Sequence, residues 1–498
     1  MKLSNVAYLS LLLVFMASCS KEFLQTSPTQ FTTPERLSAD AKQDSKLLNG
    51  NIAGLYTTMF TPGVGGTTGH DDFGQKGIDI YTDMLQSDMV LAALNYGWYS
   101  NVARYNASPD FTRNEVYVPF RYYYRQIFGA NTIIDILGGS DVVPAEQGNK
   151  FTMGQAKAMR AYSYFYLTQI YGKEYGTGAE KLIPVYTTAK QLNQPKATTK
   201  EVYDLMVKDL TDAISLLTGF TRATKDQVDI NVARGLLAYV LSARGTPADL
   251  QQVVTLTDQI IAAYPKTTAA QLYFNGTNAT TAGFNNVATP SWMWGVDLTL
   301  AQGLNLISWW GQVDQFSYSY TWAGDPKTID LGLYNAIKAD DIRRNQFIAP
   351  TAASRKLQPT EKFWAPARAS GGQRNIETDN LYMRADEFYL LNAEAKARLA
   401  QDASARTALK SFLTGRITNL AYIDALSGNA LIDEIYLQTR IELWGEGKAY
   451  LAMKRLKKSV VRGANHLFFA GNRFNYNDPQ LTFVIPQAEV LNNPNLDK

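Results

Sequence analysis

Apolar residues recur at helical spacing along most of the chain. The pattern is clearest in 151–172, where apolar side chains return every three or four positions: Ala156, Met159, Tyr162, Tyr166 and Ile170. This spacing places them on one face of a helix. The same pattern predicts further helices at 44–60, 77–94, 116–137, 200–217, 248–263, 384–401 and 431–457. Pro247 suits a helix start, and Gly445 and Gly447 could interrupt the last of these helices.

The predicted helices follow one another in neighbouring pairs, as in helical repeat proteins, although their spacing is too irregular to prove repeats. Four segments lack helical periodicity and interrupt the helices: 61–76, 95–115, 266–330 and 350–380. We therefore predict a mainly α fold, in which one helical body carries long irregular loop insertions. Loops of this length commonly carry function. Within them, Trp292 and Trp294 alternate as in a strand with one buried face.

The composition excludes several classes of protein function and of metal site. The 498 residues carry a formal net charge of +3, which argues against a nucleic-acid-binding protein. One cysteine and two histidines exclude an internal disulfide framework and the usual multi-cysteine or three-histidine zinc sites. No GxxxxGK[ST] phosphate loop and no GxSxG nucleophile motif is present. We predict no metal and no cofactor. An oxygen-only structural calcium site stays open but is not predicted, because no segment has the spacing of a calcium-binding loop.

The single cysteine, Cys19, follows an apolar stretch at the N-terminus. Lys2 precedes the apolar residues 6–16, a run too short to cross a bilayer, which needs about 20 apolar residues. Ala17 and Ser18 are small residues directly before Cys19. This pattern resembles a bacterial lipoprotein signal. We predict a signal peptide at 1–18, lipidation at Cys19 and a mature body at 19–498; an ordinary signal peptide with an incidental cysteine is the alternative.

Several blocks together resemble the SusD/RagB family, and they span nearly the whole mature chain. They lie at 156–165, 199–210, 384–395, 440–448 and 485–496. Gln438, Thr439 and Val484 depart from the family pattern beside two of these blocks without touching the cysteine or the aromatic loops. The blocks fall mostly in predicted helices, so they say little about which nutrient is bound.

The resemblance implies an outer-membrane lipoprotein of Bacteroidetes type, built on tetratricopeptide-like helix pairs. Family members bind a nutrient, usually a glycan, and cover a TonB-dependent transporter of the SusC type. They are not enzymes. We therefore expect a lipid-anchored protein on the cell exterior that captures an oligosaccharide and passes it to a partner transporter, with no nucleic-acid partner and no catalytic residues.

Two aromatic segments are the candidate ligand site. Sugar rings pack on flat aromatic faces, and sugar hydroxyls bond to amide and carboxylate groups. Both segments mix aromatic residues with amide, serine and glycine residues in non-periodic sequence. The predicted ligand-binding residues are Tyr96, Trp98, Tyr99 and Asn101 in the first segment and Trp309, Trp310, Gln312, Tyr318, Tyr320 and Trp322 in the second. Alternatively, these aromatic residues pack the loops onto the scaffold.

Three other functions remain open. A peptide-binding member of the same family would also use aromatic loops. A surface glycosidase would need two carboxyl groups about 5–10 Å apart in one cleft, which the adjacent pairs at 71–72 and 340–341 cannot supply alone. His70 beside Asp71 is interpreted as a loop residue rather than a metal ligand. A structural lipoprotein without a ligand would bury both aromatic segments.

Overall fold

Helices dominate the computed structural model, which describes residues 34–498. The sixteen α-helices of this part of the chain are α1 (Pro34–Ala41), α2 (Asn49–Thr57), α3 (Gln75–Leu85), α4 (Ser100–Ala103), α5 (Asn114–Ile136), α6 (Gln147–Tyr171), α7 (Thr199–Leu216), α8 (Ile230–Arg244), α9 (Pro247–Ala263), α10 (Trp309–Val313), α11 (Leu331–Ala336), α12 (Ala385–Arg398), α13 (Asp402–Leu413), α14 (Gly428–Glu442), α15 (Ala449–Arg455) and α16 (Gln487–Asn492). The predicted signal peptide and Cys19 lie outside the described residues.

The mainly α prediction is confirmed, and local sequence explains where several helices begin and end. Helix α7 begins with a capping box between Thr198 and Glu201, and α9 begins at Pro247. The long helix predicted at 431–457 is divided into α14 and α15. Gly445 and Gly447 lie between them with φ of 80° and 72°, which favour glycine. The periodicity did not predict α8 or α13. The helix predicted at 77–94 is shorter than expected, because it ends at Leu85 and a strand follows at Met89–Leu91.

Successive helices pack against one another as in tetratricopeptide-like scaffolds. Helix α6 packs against α5 and α7, α8 lies between α7 and α9, and α12 contacts α9, α13 and α14. One continuous apolar core extends through these helices and into the insertions, with a second core among α12, α13 and α14. None of the helices within 34–498 is long and apolar enough to cross a membrane.

A buried ion network lies where the blocks at 384–395 and 440–448 meet. Glu442 accepts hydrogen bonds from Arg384 at 2.9 Å, Arg416 at 2.9 Å and Arg343 at 3.1 Å. Burial alone would raise the pKa of Glu442, but the three guanidinium groups hold it well below its usual range. This part of the family resemblance therefore corresponds to scaffold packing.

The part of the chain that the structure describes contains four two-stranded antiparallel sheets, of which two connect segments that are distant in sequence. They pair β1 (Met89–Leu91) with β5 (Lys327–Ile329), β2 (Lys181–Pro184) with β3 (Lys196–Thr198), β4 (Trp292–Val296) with β6 (Asn380–Arg384), and β7 (Val460–Val461) with β8 (Arg473–Phe474). The strand predicted at Trp292 and Trp294 is present, but the expectation of one buried face is wrong. Both faces are buried, because Met293, which alternates with Trp292 and Trp294, is as fully buried as the two tryptophans.

Candidate ligand-binding site

The β1–β5 pair brings the two predicted aromatic segments together. Leu91 is opposite Lys327, and the pairing continues as the Ala92 N–H donates to Pro326 O at 3.0 Å. Beyond the ladder, the buried Asp325 carboxylate accepts from the backbone N–H groups of residues 95, 96 and 97 at 2.5, 2.7 and 2.9 Å. One carboxylate therefore fixes the first segment against the second.

Four rings form an aromatic platform at this junction: His70, Tyr96, Trp98 and Tyr320. The Tyr320 ring lies edge-on to Tyr96 at 5.2 Å and to Trp98 at 6.2 Å between centroids. His70 stacks on Trp98 at 5.0 Å with an interplanar angle of 3°. Tyr96 is 58% exposed, Trp98 is half-buried and Tyr320 is buried. Tyr96 and Trp98 therefore present the accessible surface, and Tyr320 supports them from below.

His70 belongs to the platform, although the sequence offered no signal for this role. Its Nδ1 is hydrogen-bonded to the Tyr320 hydroxyl at 2.5 Å, and its ring covers one face of Trp98. Partial burial lowers the pKa of His70 below its usual value, which favours the neutral imidazole. A ligand ring can therefore stack only on the other face of Trp98.

A short hydrogen-bonded chain holds His70 in place from the protein interior. The Gln312 side chain donates from Nε2 to His70 O at 2.7 Å and accepts from Lys327 Nζ at 2.7 Å. Lys327 is fully buried, and burial lowers its pKa to about 7. Gln312 was predicted to contact ligand, but it is buried and supports the platform instead.

A polar cleft of about 420 Å³ opens beside the platform. Tyr96 and Trp98 form part of its wall, and Asp71, Asn101 and Glu115 contribute polar groups. Asn101 donates to Glu115 Oε1 at 2.7 Å, and the Tyr81 hydroxyl donates to Asp71 Oδ2 at 2.6 Å.

Two carboxyl groups therefore lie in one cleft. Burial is the main cause that raises the pKa of Asp71 to about 6; the hydrogen bond from Tyr81 lowers the pKa, and the nearby Glu115 carboxylate adds a smaller upward contribution. Arg113, directly before α5, also lines the cleft. Asp71, Glu115 and Arg113 were not among the predicted site residues, because Asp71 lies in a glycine-rich loop and the other two lie where α5 begins. Only the tertiary fold places them beside Trp98.

Trp309 and Trp310 require a correction, because they lie in the core instead of on a ligand-binding surface. They begin α10 and are only 2% and 1% exposed. The Trp309 ring packs edge-on against Phe363 at 4.6 Å and against Trp310 at 5.0 Å. Tyr99 is also buried and its ring packs on Tyr81 at 5.1 Å, although the residue still forms part of the wall of the cleft. Trp309 and Trp310 pack beneath the site.

Tyr318 and Trp322 form a second, partly exposed pair in the same loop. Their rings lie 5.5 Å apart, and the Arg374 guanidinium lies over Tyr318 at 4.5 Å. Trp322 is 43% exposed and packs against Gly371, where a Cβ would come within 2.5 Å of the indole. The structure thus keeps Tyr96, Trp98, Asn101, Tyr318 and Trp322 accessible.

Acidic and histidine side chains do not form a metal centre in the described residues. Within 34–498, no group of three or more histidine, cysteine, aspartate and glutamate residues is arranged to hold a metal ion.

Two family models match the chain. A SusD-like model described as "Starch-binding associating with outer membrane" matches residues 68–229, which include His70, the first aromatic segment and most of the cleft. A second model, described as the SusD family, matches residues 349–498. Together they cover more than half of the chain.

Individual proteins give a consistent result. A SusD-like protein, P25, of Formosa agariphila is 26% identical over 172 residues, which is 34% of this chain and only 31% of the relative. A SusD-like carbohydrate binding protein from Bacteroides vulgatus superposes with a TM-score of 0.73 at 23% identity, covering 92% of this chain and 97% of the other. A SusD superfamily protein from Bacteroides fragilis superposes with a TM-score of 0.69 at 22% identity, covering 94% of this chain and 100% of the other. The structural similarity shows a shared fold.

Proposed function

The chain belongs to the SusD/RagB family, and we propose that it is a surface-exposed, lipid-anchored protein that captures an oligosaccharide and delivers it to a partner TonB-dependent transporter. The observation that carries this proposal is the aromatic platform beside a polar cleft. The family model covering this region describes starch binding and association with the outer membrane, which supports both a glycan ligand and the location.

The platform and cleft provide the two kinds of contact that a sugar needs. The accessible faces of Tyr96 and Trp98 can pack against the C–H faces of a sugar ring. Asn101 and the carboxyl groups of Asp71 and Glu115 can bond to its hydroxyls. Tyrosine and tryptophan lose little side-chain entropy on binding, so a small set of rigid rings suffices.

Delivery requires that the ligand also leaves. The cleft is open, and its polar groups already hold partners within the protein, such as Tyr81 for Asp71 and Asn101 for Glu115. A ligand bound mainly by stacking gains only modest free energy after the cost of its own ordering. We infer moderate affinity, which suits transfer to a transporter better than a deep, tight site.

Calorimetric titration of a panel of glycans and peptides tests the ligand class. We expect at least one oligosaccharide to bind, and Trp98→Ala to weaken that binding at least tenfold because the stacking surface is lost. Phe128→Ala, which removes an exposed ring outside the cleft, is the matched control and should leave the affinity unchanged. Binding of peptides alone would replace the glycan proposal with the peptide-binding alternative.

The lipid anchor is tested at Cys19. Several acyl chains on one residue bind a membrane firmly, so Cys19→Ala should move the protein from the membrane to the soluble fraction. Cys19→Ser is a second variant that also lacks the thiol. Retention of both variants in the outer-membrane fraction would refute the anchor while leaving the ligand proposal intact.

A surface glycosidase is a second candidate, because Asp71 and Glu115 line the same cleft and the pKa of Asp71 is raised to about 6. A raised pKa suits a general acid, and a second carboxylate would be the base or nucleophile. Incubating each glycan that binds with the protein and analysing the products decides the matter. If the protein cleaves a glycan, and Asp71→Asn and Glu115→Gln each abolish the cleavage, the protein is a glycosidase. If every glycan stays intact, the result supports a binding protein.

A further inference from the structure

A cavity lined mainly by basic side chains lies where four helices of the scaffold end. It has a volume of about 210 Å³ and shares no lining residue with the cleft beside the platform. The last turns of α6, α8, α12 and α15 all contribute to its wall. The basic residues that line this cavity are Lys173, Arg244, Arg398, Lys454, Arg455 and Lys457. A concave site with one predominant sign of charge attracts ligands of the opposite sign.

Helix ends explain part of this basic cluster, because cations stabilise the C-termini of helices. Arg398 donates from Nη1 to Ser242 O in the last turn of α8 at 2.9 Å. Arg244, at the end of α8, donates to the two carboxylate oxygens of Asp249 at 2.9 and 2.6 Å. These two arginines therefore have roles in holding the scaffold together.

Carboxylates pair with two further basic residues but leave some donors of the cavity unused. Glu394 accepts from Arg455 Nε at 2.7 Å and Nη2 at 2.6 Å, and from Arg398 Nη1 at 3.3 Å. Glu174, the acidic residue that lines the cavity, pairs with Lys457. Within 34–498, neither Arg455 Nη1 nor Arg398 Nη2 has a hydrogen-bond acceptor. Two guanidinium groups of the cavity thus keep donors for a ligand.

Lys454 is a buried cation of the cavity, and no carboxylate in the described part of the chain pairs with it. The residue is only 3% exposed, and its Nζ donates to Thr482 Oγ1 at 2.8 Å. An ammonium group carries three N–H donors, so this single bond leaves it unsatisfied. Burial is the main cause that lowers the pKa of Lys454 to about 7; Lys173 lowers it further, and Glu174 acts in the opposite direction. An anion in the cavity would favour the charged form of Lys454.

Lys173 supplies a second charge without an ion-pair partner. It follows Gly172 at the end of α6 and is exposed to solvent. No carboxylate among residues 34–498 forms an ion pair with it. The cavity therefore combines a buried and an exposed ammonium group, neither of which is paired with a carboxylate.

We propose that this cavity binds a doubly charged tetrahedral oxyanion: inorganic phosphate, sulfate or the phosphate group of a small monoester. The oxyanion accepts from Lys454 Nζ and from the unused donors of Arg398 and Arg455, and Lys173 faces it from the solvent side. A tetrahedral oxyanion accepts hydrogen bonds from several directions, which suits donors that come from separate helices. The inference is independent of the proposed glycan ligand.

Calorimetric titration of the full chain with sodium phosphate and sodium sulfate, in chloride buffer of constant ionic strength, tests this inference. We expect saturable binding of at least one of these anions at one site. Lys454→Met keeps the length of the side chain but removes its charge and donors, and should lower the affinity at least tenfold. Lys173→Glu should lower it at least threefold. Lys356→Glu, at an exposed lysine elsewhere in the chain, is the matched control for Lys173→Glu and should leave the affinity unchanged.

Titration with glycerol 3-phosphate, with glycerol as its control, distinguishes the two sources of the oxyanion. Tighter binding of glycerol 3-phosphate than of inorganic phosphate assigns the cavity to a small phosphorylated molecule. Tighter binding of the inorganic anions assigns it to the free ion. Either result supports the oxyanion chemistry.

Two results would overturn the inference. One is the absence of saturable binding of phosphate, sulfate and glycerol 3-phosphate to the unaltered protein. The other is binding that Lys454→Met and Lys173→Glu both leave unchanged, which would place the anion elsewhere. Unchanged glycan affinity of Lys454→Met shows that this variant folds; if it does not fold, the exposed Lys173→Glu decides alone.

Discussion

The Trp98 region and the Trp309–Trp310 region are alike in composition and opposite in position. Each combines tryptophan with glycine, amide and serine residues in a segment without helical periodicity. Trp98 is half-buried at the edge of a cleft, whereas Trp309 and Trp310 are within the core. Tryptophan is suited both to the edge of a cleft and to the core, since it has a large apolar surface and one polar N–H.

Distant neighbours decide which tryptophan is covered. Phe363, from another insertion, packs on Trp309, and α10 lies so close to its own preceding loop that a Cβ on Gly311 would come within 2.1 Å of Leu306 O. Trp98 has His70 stacked on one face and Tyr320 edge-on to its ring, and it stays half-buried. Aromatic composition alone therefore does not identify a ligand surface; the packing around it does.

Truncating the buried indole should have the largest effect on folding. Trp310→Ala should lower the free energy of unfolding by about 3–5 kcal/mol, because it leaves a cavity in packed surroundings. The molecules that remain folded should keep their glycan affinity within a few-fold. Urea denaturation followed by calorimetry checks both parts, and Trp322→Ala, at a 43% exposed site, is the control for stability. Lost glycan binding with unchanged stability would reverse the roles assigned to the two regions.

Removing the Asp325 carboxylate should have the next largest effect on stability, because this carboxylate links the segment that carries Tyr96 and Trp98 to the segment that carries Tyr320. Asp325→Ala leaves three backbone N–H groups without their acceptor and should cost about 2 kcal/mol of unfolding free energy. Glycan affinity should fall at least tenfold as Tyr96 and Trp98 move. Asp325→Asn keeps one oxygen acceptor and should therefore lose less unfolding free energy and less glycan affinity. Equal glycan affinities for the unaltered protein, Asp325→Ala and Asp325→Asn would show that the Asp325 hydrogen bonds are irrelevant to binding.

Acidification should have the smallest effect. The pKa of His70 in the folded protein lies below its usual value, which applies to the unfolded chain. Between these two pKa values the unfolded chain therefore binds more protons than the folded protein. The stability that neutral His70 contributes is lost as the pH falls through the lowered pKa. We expect glycan affinity to weaken a few-fold between pH 7 and pH 5. His70→Phe should remove that part of the pH dependence.

Two controls assign the titrating group. Asp71 also titrates near this range, with a pKa of about 6, so Asp71→Asn separates its contribution. His466→Gln controls for the other histidine. A pH dependence that persists in His70→Phe and disappears in Asp71→Asn would move the effect from the platform to the cleft.

Local patterns predicted the scaffold well because helix starts and apolar faces are local properties. Thr198, Glu201 and Pro247 stand at the helix ends where their chemistry suggests. The two aromatic segments were also found, yet five of their ten predicted residues are buried. Nothing local to Gln312 indicates that its amide bonds to His70, and nothing near His70 indicates a stack on Trp98. These contacts join residues far apart in the chain, as the β1–β5 pairing between the two aromatic segments also does.

The central claim is that a glycan binds on the open face of Trp98, and a crystal structure with the tightest-binding oligosaccharide tests it most directly. We predict a sugar ring stacked on the face of Trp98 opposite His70, with hydroxyls in the cleft lined by Asp71, Asn101 and Glu115. An oligosaccharide bound elsewhere, with the Trp98 face and the cleft empty, would contradict it.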